Sequence, residues 1–290
     1  MGATAILFPG QGSHRDGMGE VARAIVPELH ELLIAEVGED PFPRAAESTR
    51  FAQPAILCAA LAGWAAAGRP GAQAFAGHSL GELGAAAAAG ALSEEDAIRL
   101  AVHRGRLMAA AAEAEPGGMI AVLCPIDVAG EIAAASGSVV ANDNAPTQVV
   151  LSGGPGALDA ADAEARSRDV RTIRLVVGGA FHSPAMRPAL APFGELVAAA
   201  DVSAPAATLI SSVTVEPLES AAEVRTALTR AIVEPVRWRE TVGELHRRGI
   251  ERFAETGPGK ALTGMVRRTL DGVAASPLAA REPMSGAARG

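Results

Sequence analysis

The order of apolar and polar positions predicts strands that alternate with helices along the first third of the chain. A short apolar run at residues 3–8 predicts a strand, and the apolar spacing of residues 18–37, close to 3.6, predicts a helix. A helix at 53–67, a strand at 74–76 and an Ala-rich helix at 80–89 follow. Strands separated by helices are typical of a mostly parallel sheet, so we expect an α/β domain.

Residues 118–178 have a different pattern, which predicts a separate module. Its segments are a strand at 119–123, a helix at 128–135, strands at 139–141 and 148–151, a helix at 155–168 and a strand at 172–177. This βαββαβ order is that of a ferredoxin-like fold. We therefore predict a ferredoxin-like subdomain inserted into a larger domain formed by residues 1–117 and 179–273. That domain resumes near residue 181 with a helix and then a strand at 208–213.

Composition and charge narrow the class of protein. Apolar residues make up 49% and charged residues 20% of the 290, which is typical of a globular protein, although the Ala/Gly/Pro/Ser-rich stretch 274–290 is predicted to be disordered. A net charge of −8 without a basic run argues against nucleic acid as a partner.

The chain shows no sign of a membrane or secretory protein. The longest apolar run, 83–92, is about half of what a membrane-spanning helix needs, and the N-terminus lacks the basic region of a signal peptide. Cys58 and Cys124 lie in apolar surroundings and are expected to be buried, reduced thiols and not a disulfide or a metal site. A cytoplasmic location is therefore expected.

The strongest chemical motif is a G-x-S-x-G pattern at residues 77–81, GHSLG. It stands between a predicted strand and a predicted helix, where the serine of a nucleophile elbow belongs. The glycines leave room for a strained turn that exposes the hydroxyl of Ser79. The N–H of Leu80, at the start of the helix, has no helical partner and could bind an oxyanion. The alternative is a surface serine in a Gly-rich turn.

A serine nucleophile needs a base, and the chain has six histidines. Three lie among polar residues and are expected at the surface: His14, His30 and His246. His103 falls on the polar side of its helix, and the side chain of His78 is expected to point away from Ser79. His182, in a Gly-rich turn after the predicted subdomain, is the candidate base, with a structural loop histidine as the alternative. No acid stands out between Ser79 and His182, so we expect a Ser-His dyad oriented by backbone carbonyls.

Helical periodicity marks Arg104 as a candidate substrate ligand. Ser93 and three following acids predict the start of a helix that extends to about residue 112, and Arg104 falls on its apolar face. A buried guanidinium needs a partner. That partner is either a carboxylate of the protein or the free carboxylate of a dicarboxylic acyl group, which suits the planar fork of arginine.

The loop after the first predicted strand contains Gly10, Gln11 and Gly12. It lacks the third glycine and the downstream acid of a dinucleotide-binding motif, so it indicates no cofactor. A loop at the carboxyl end of a strand could supply a second oxyanion donor, the backbone N–H of Gln11. An ordinary tight turn is the alternative.

Several motifs, in this order, closely resemble the malonyl-CoA:acyl carrier protein transacylase family. They are FPGQGS at 8–13, QPA at 53–55, GHSLGE at 77–82, RG at 104–105, FHS at 181–183, PVRW at 235–238 and ETGPGK at 255–260. The resemblance extends from residue 3 to about residue 270. It implies an α/β-hydrolase-like core with a parallel sheet and an inserted ferredoxin-like subdomain.

The resemblance also implies a reaction. Malonyl-CoA would acylate Ser79 with His182 as general base, and the N–H groups of Gln11 and Leu80 would bind the oxyanion. Arg104 would bind the free malonyl carboxylate, and backbone carbonyls near residues 235–238 would hold His182. The malonyl group would then pass to the phosphopantetheine thiol of a holo acyl carrier protein. Neither a resident cofactor nor a metal is implied.

Residues near His182 bear on the substrate. The run Gly179, Ala180, Phe181 resembles the malonyl-preferring version of the family motif. The resemblance implies that these three residues contact the substrate and that the Phe181 ring disfavours methyl-branched units. The same run resembles stand-alone, trans-acting acyltransferases of polyketide synthases, which differ in their carrier protein. The chain departs from the family at two places. Ser211 and Ser212 stand where many members have two asparagines, and Asp143 replaces a commoner aromatic residue.

Two further hypotheses concern partners and rival reactions. An acidic carrier protein would need a basic patch on this acidic chain, and the candidates are Lys260, Arg267, Arg268 and Arg187. A hydrolase of acyl carrier protein thioesters could use the same Ser79 and His182 with water as acceptor. A buried Arg104 favours the transferase, because a hydrolase of neutral acyl groups gains nothing from a buried cation.

Overall fold

The computed structural model describes residues 2–281, whose strands form two sheets. The strands of this range are β1 (Ala3–Phe8), β2 (Ala74–Gly77), β3 (Gly118–Val122), β4 (Val139–Ala145), β5 (Gln148–Gly153), β6 (Thr172–Arg174), β7 (Thr208–Ile210), β8 (Ile250–Glu255) and β9 (Ala274–Pro277). The α-helices of the same range are α1 (Met18–Ile25), α2 (Pro27–Val37), α3 (Thr49–Ala66), α4 (Gly81–Ala88), α5 (Glu94–Ala114), α6 (Ile126–Ser136), α7 (Pro155–Ser167), α8 (Arg187–Ala199), α9 (Ala221–Arg230), α10 (Trp238–Arg247) and α11 (Ala261–Thr269).

The larger sheet is parallel, with the strand order β7-β2-β1-β8-β9. Its central strand β1 is apolar on both faces. Ile6 and Phe8 join a core formed with α3 and α5, whereas Ala5 and Leu7 join a second core formed with α10 and α11. Side chains alternate between the faces of a strand, so this continuous apolar run indicates a sheet covered by helices on both sides. The predicted α/β class is confirmed.

The smaller sheet is antiparallel and has the order β4-β5-β3-β6. Its four strands and the helices α6 and α7 lie within residues 118–178, and their order is that of a ferredoxin-like fold. Ile120 and Val122 of β3 pack against these two helices. Met119 and Ala121, which alternate with them, face the opposite way and join the core of the larger domain.

Three predictions made from the sequence were wrong. The helix predicted at 18–37 is divided into α1 and α2, because Pro27 disfavours helical geometry at the preceding Val26, whose φ is −132°. His30 is buried and stacks on Phe42 instead of lying at the surface. Residues 274–277 of the predicted disordered stretch 274–290 form β9, because β8 offers a free edge and Ala275 is buried there. Residues 282–290 lie outside the described residues.

Two local predictions agree with the structure, the start of α5 and the burial of the two cysteines. Ser93 caps α5 by accepting the N–H of Asp96 at 2.9 Å. Cys58 and Cys124 are buried and free.

Between Gly2 and Arg281, no helix is long and apolar enough to cross a membrane. In the same part of the chain, no three His, Cys, Asp or Glu side chains are grouped so that they could hold a metal ion.

The parallel sheet brings two loops together. Because β1 and β2 are parallel neighbours, the loop after Phe8 and the turn after Gly77 emerge at the same edge. Crevices at the carboxyl ends of such strands are the usual ligand sites of open α/β sheets. The approach is very close, since a Cβ on Gly81 would lie 2.0 Å from the carbonyl oxygen of Phe8.

We therefore expect Gly81→Ala to lower the free energy of unfolding by about 1–3 kcal/mol, because backbone and not a flexible side chain blocks the added methyl group. The matched control is Gly130→Ala in α6, where nothing lies within 4 Å of the added Cβ. This control is expected to stabilise the protein by about 0.4–1 kcal/mol. Urea unfolding of both variants tests the expectation, and equal stability of Gly81→Ala and the unsubstituted protein would contradict it.

Candidate active site

Ser79 lies on the turn between β2 and α4 with its backbone in the left-handed region, at φ 55°. Residues other than glycine rarely adopt this backbone conformation, so the turn is strained and is held in place by the structure around it. A Cβ on Gly77 would lie 2.0 Å from the backbone of Gly81, which explains why glycine stands on both sides of the serine. The turn presents the Ser79 hydroxyl at the edge of the parallel sheet.

His182 meets this hydroxyl, with its Nε2 2.7 Å from Ser79 Oγ. It also has a φ of 55° and is buried. Its Nδ1–H donates a hydrogen bond to the backbone oxygen of Glu234 at 3.0 Å. The lone pair of Nε2 therefore faces the serine. The carbonyl comes from the residue just before the predicted segment 235–238.

The electrostatic environment keeps His182 neutral. Burial and the positive charge of Arg104 lower its pKa to about 3, against the opposing effect of the Glu234 carbonyl. A neutral imidazole with a free Nε2 can accept a proton near pH 7. In the described part of the chain no carboxylate is hydrogen-bonded to this ring, and the nearby Asp143 pairs with Arg239 instead. The geometry is that of a Ser-His dyad.

Two backbone N–H groups lie beside the serine. They belong to Leu80, which directly precedes α4, and to Gln11, in the loop that follows β1. Neither N–H donates a hydrogen bond to another group of residues 2–281. A Cβ on Gly10 would lie 2.5 Å from the carbonyl oxygen of His78, so glycine is needed for the loop to reach the serine turn. Gln11 and Ser79 line the same cavity.

Arg104 of α5 is buried and points at Ser79. Its Nη2 is 3.3 Å from Ser79 Oγ and 3.4 Å from the carbonyl oxygen of Ala231, and its Nη1 donates to Gln53 Oε1 at 2.6 Å. Among the described residues no carboxylate forms an ion pair with it, and the buried Glu82 acts on it only through a longer-range attraction that raises its pKa. Burial lowers its pKa to about 10, which leaves it charged.

Hydrogen bonds between side chains connect Arg104 to the Gln11 loop. Gln53 accepts from Arg104 and donates Nε2–H to Thr49 Oγ1 at 2.9 Å, and the Thr49 hydroxyl donates to Gln11 Oε1 at 2.7 Å. The role of Thr49 was missed from the sequence. Two polar residues one turn apart in a largely apolar helix, Thr49 and Gln53, were the signal that could have revealed it.

The two serines that depart from the family pattern surround a buried carboxyl group. Glu82 Oε1 accepts from the N–H of Ser212 at 2.6 Å and from the hydroxyls of Ser212 at 3.0 Å and Ser211 at 3.2 Å. Burial raises the pKa of Glu82 to about 7, although these donors and Arg104 oppose the shift. Neither serine lines the cavity, and both contact Glu82 instead.

A cavity of about 260 Å³ lies between the two sheets. Ser79, His182 and Arg104 line its wall on the larger domain, and Met119 and Val150 of the smaller sheet line the other. Phe181, predicted to contact substrate, also lines it.

Gly179 and Ala180 were predicted as substrate ligands, but neither lines the cavity. A Cβ on Gly179 would lie 2.7 Å from Ala112 Cβ and 3.0 Å from the ring of Phe181. The carbonyl oxygen of Ala180 accepts the Ser183 hydroxyl at 2.5 Å. These two residues therefore set the position of the Phe181 ring.

The candidate basic residues are not equivalent. Arg267 donates twice to the carbonyl oxygen of Ala275, at 3.1 and 2.6 Å, which fixes it against β9. Arg268 donates to Gln148, a residue of the cavity rim, at 2.7 Å. Lys260 is exposed next to the rim residue Ala261, and Arg187 is exposed at the start of α8.

Known proteins share this architecture. A family model described as the acyl transferase domain matches residues 6–282. The polyketide biosynthesis protein ThaF of Burkholderia thailandensis is 41% identical over 98% of the chain, which spans only 26% of that longer protein. The malonyl CoA-acyl carrier protein transacylase of Salmonella typhimurium is 35% identical over 94% of this chain and 95% of its own length.

Solved structures agree. A crystal structure of malonyl-CoA:acyl carrier protein transacylase from Xanthomonas oryzae superposes with a TM-score of 0.88 at 35% identity, covering 96% of this chain and 95% of the other. The match includes both sheets and the cleft between them, since it covers nearly the whole chain. The chain belongs to the acyl transferase domain family, in the group that includes the malonyl-CoA:acyl carrier protein transacylases.

Proposed function

We propose that this chain transfers a malonyl group from malonyl-CoA through an ester on Ser79 to the phosphopantetheine thiol of a holo acyl carrier protein. The observation that carries the proposal is the buried guanidinium of Arg104, which has no carboxylate partner in the described chain and whose Nη2 lies 3.3 Å from Ser79 Oγ. A free carboxylate bound there would hold its acyl group against the nucleophile.

The dyad performs the first half of the reaction. Ser79 Oγ attacks the thioester carbonyl carbon while its proton moves to His182 Nε2. The N–H groups of Gln11 and Leu80 bind the oxyanion. When the carbon–sulfur bond breaks, the coenzyme A thiolate leaves and takes the proton from His182. The product is the malonyl ester of Ser79 and free coenzyme A thiol.

The second half uses the same groups in reverse. The carrier protein thiol gives its proton to His182 Nε2 and attacks the ester carbonyl. The ester bond breaks, and Ser79 Oγ recovers the proton. Coenzyme A enters and leaves as part of the substrate, so this cycle uses no resident cofactor and no metal.

Substrate charge adjusts the base in this scheme. The positive charge of Arg104 is one cause of the low pKa of His182. A malonyl carboxylate paired with Arg104 offsets that charge and makes His182 a stronger base when the correct substrate is bound. An acetyl group has no carboxylate and gives no such effect.

The cavity and its rim bear on the size of the acyl group and on where the carrier protein binds. Phe181 and Met108 line the acyl cavity and leave little room for a branched unit. Lys260 and Arg268 adjoin the mouth of the cavity, and we assign them to binding of the acidic carrier protein. Arg187 is exposed at the start of α8 and is the remaining candidate, whereas Arg267 is held by β9. We place the reaction in the cytoplasm, where Cys58 and Cys124 stay reduced.

A trans-acting polyketide role is the second candidate. It is favoured by the 41% identity to the polyketide biosynthesis protein ThaF, compared with 35% to the Salmonella transacylase. The chemistry would be the same, with a carrier domain of a polyketide synthase as acceptor and malonyl or another carboxylated unit as cargo. Hydrolysis of an acyl carrier protein thioester is disfavoured, since a buried cation would serve no neutral acyl group.

Intact-protein mass measurement tests the transfer. After mixing with malonyl-CoA, the protein should gain one malonyl group, and Ser79→Ala should gain none because the acceptor oxygen is gone. Methylmalonyl-CoA and acetyl-CoA should label it less. Holo acyl carrier protein should remove the label faster than water does. Equal loss with and without carrier protein would instead indicate a hydrolase.

Arg104→Ala should lower the rate of malonyl transfer by roughly 10–100-fold, because a charge-assisted hydrogen bond to the carboxylate is lost. Acetyl transfer should fall much less. Arg106→Ala is the matched control, since Arg106 lies in the same helix and donates to backbone oxygens of α2 away from the cavity. Steady-state rates with both donors give the ratio, and an unchanged malonyl preference in Arg104→Ala would contradict the role.

The pKa of His182 should rise in Arg104→Ala, because removal of a neighbouring positive charge favours the imidazolium. In the unsubstituted protein the ring should stay neutral down to pH values far below 6.5. The Cε1–H resonance of His182, assigned by its loss in His182→Gln, reports the titration by NMR. Identical titration curves with and without Arg104 would show that this charge does not act on the ring.

A further inference from the structure

The segment 234–239, whose last two residues begin α10, pairs with strand β4 at the edge of the smaller sheet. Val236 donates its N–H to the carbonyl of Ala141 at 2.9 Å, and its own carbonyl accepts the N–H of Asp143 at 2.8 Å. Asn142 and Val236 form a parallel bridge. The segment thus adds one short strand to the edge of the smaller sheet.

This segment and β4 hold both members of the dyad. Glu234 accepts the Nδ1–H of His182, and the ring of Trp238 packs edge-on against His78 with centroids 5.5 Å apart. His78 directly precedes Ser79, and its Nε2 donates to Asn144 Oδ1 at 2.8 Å. A shift of the segment relative to β4 would therefore change the distance between Ser79 and His182.

An ion pair fixes the segment to β4. Side chains alternate along the strand, so Asn142 and Asn144 line the cavity and Asp143 faces α10. Arg239 Nε lies 3.1 and 2.9 Å from the two carboxylate oxygens of Asp143, and its Nη2 is 2.8 Å from Oδ2. The other ion pairs of α10 involve residues of that helix and its ends only: Arg237 with Glu240, and Arg247 and Arg248 with Glu244.

The energetics give this pair a directional role. Asp143 is 4% exposed, so separation from Arg239 would leave a buried carboxylate without its cation. A guanidinium with two nitrogens on one carboxylate fixes orientation as well as distance. The segment also contains the buried Trp238 Nε1, which has no hydrogen-bond partner within residues 2–281, so the position of the segment depends on its other contacts.

We propose that Asp143 is a positioning residue, which acts through Arg239 to hold the Glu234 carbonyl where it orients His182. The inference rests on the proposed malonyl transfer and adds a residue to it. Asp143 takes no part in binding the acyl group, because its side chain faces away from the cavity. This role accounts for the acid at position 143, where an aromatic residue is commoner in the family.

Kinetics of Ser79 acylation test the role. Asp143→Asn and Arg239→Gln should each lower the rate constant for acylation by roughly tenfold, because the base is misplaced. The half-saturating concentration of malonyl-CoA should stay within about twofold, since Arg104 and the cavity wall are intact. The double variant should be no slower than the slower single one, and Asp143→Glu should recover part of the rate. Arg247→Gln removes an exposed arginine that pairs with Glu244 of the same helix, outside the segment 234–239, and should acylate normally.

The Nδ1–H resonance of His182 gives a second readout that needs no malonyl group. In Asp143→Asn it should move upfield or exchange faster with water, as the bond to Glu234 loosens. Arg239→Gln provides the same test if Asp143→Asn does not fold. If the unsubstituted protein gains no malonyl group from malonyl-CoA, the proposed transfer is overturned. The Nδ1–H resonance still decides the positioning role in that case. Normal acylation in the folded single variants, additive losses in the double variant or an unchanged resonance would overturn that role.

Discussion

The geometry of the site depends on one close contact between backbones, that of Gly81 with the carbonyl oxygen of Phe8. It holds the turn after β2 against the end of β1 with no room for a Cβ. Ser79 adopts its left-handed conformation two residues before this contact, α4 begins at Gly81, and the Gln11 loop follows Phe8. The groups to which we assign the roles of nucleophile and oxyanion donors therefore lie on main chain that is held at this contact, and such placement preorganises a site.

The electrostatics of the cleft rest on three buried titratable groups whose pKa values are displaced by their surroundings. Burial lowers the pKa of His182 and Arg104 and raises that of Glu82, in each case against the charged form. Arg104 stays charged because its intrinsic pKa is so high. Among the described residues, the buried guanidinium of Arg104 donates hydrogen bonds only to the neutral oxygens of Gln53, Ser79 and Ala231. No ion pair matches its positive charge, which is the basis of the proposed binding of an anionic acyl group.

Much of the fold could be predicted from the sequence, because its signals are local. Apolar runs and helical spacing predicted the four strands of the smaller sheet and β1, β2 and β7 of the larger one, but not β8 or β9. The Gly-x-Ser-x-Gly turn located Ser79. Arg104 was found because a charge on an apolar helix face breaks a periodic pattern. The resemblance to a known family then joined the separate motifs into one site, which the structure brings together around a single cavity.

The remaining features arise from contacts between distant residues or from groups with no side-chain signature. The Glu234 carbonyl that holds His182 could not be distinguished from its neighbours, since every residue has one. The Asp143–Arg239 pair joins positions 96 apart. The strand β9 has small side chains that resemble a linker, and only its partner β8 makes it a strand. Gly179 and Ala180 were misassigned because they support a ligand-facing residue without facing the ligand.

The position of β8 in the larger sheet has a consequence for the synthesis of the chain. This strand pairs with the central β1, so residues near the two ends of the chain must meet before the sheet is complete. During translation, β1 and β2 emerge early, but β1 lacks one neighbour until residue 255 has left the ribosome, and the anchor of His182 emerges only after residue 234. The smaller module can form locally in the meantime. The nascent chain consequently contains Ser79 and His182 before the Glu234 carbonyl and strand β8 are available, so the arrangement of these two side chains is completed only after the larger sheet has closed.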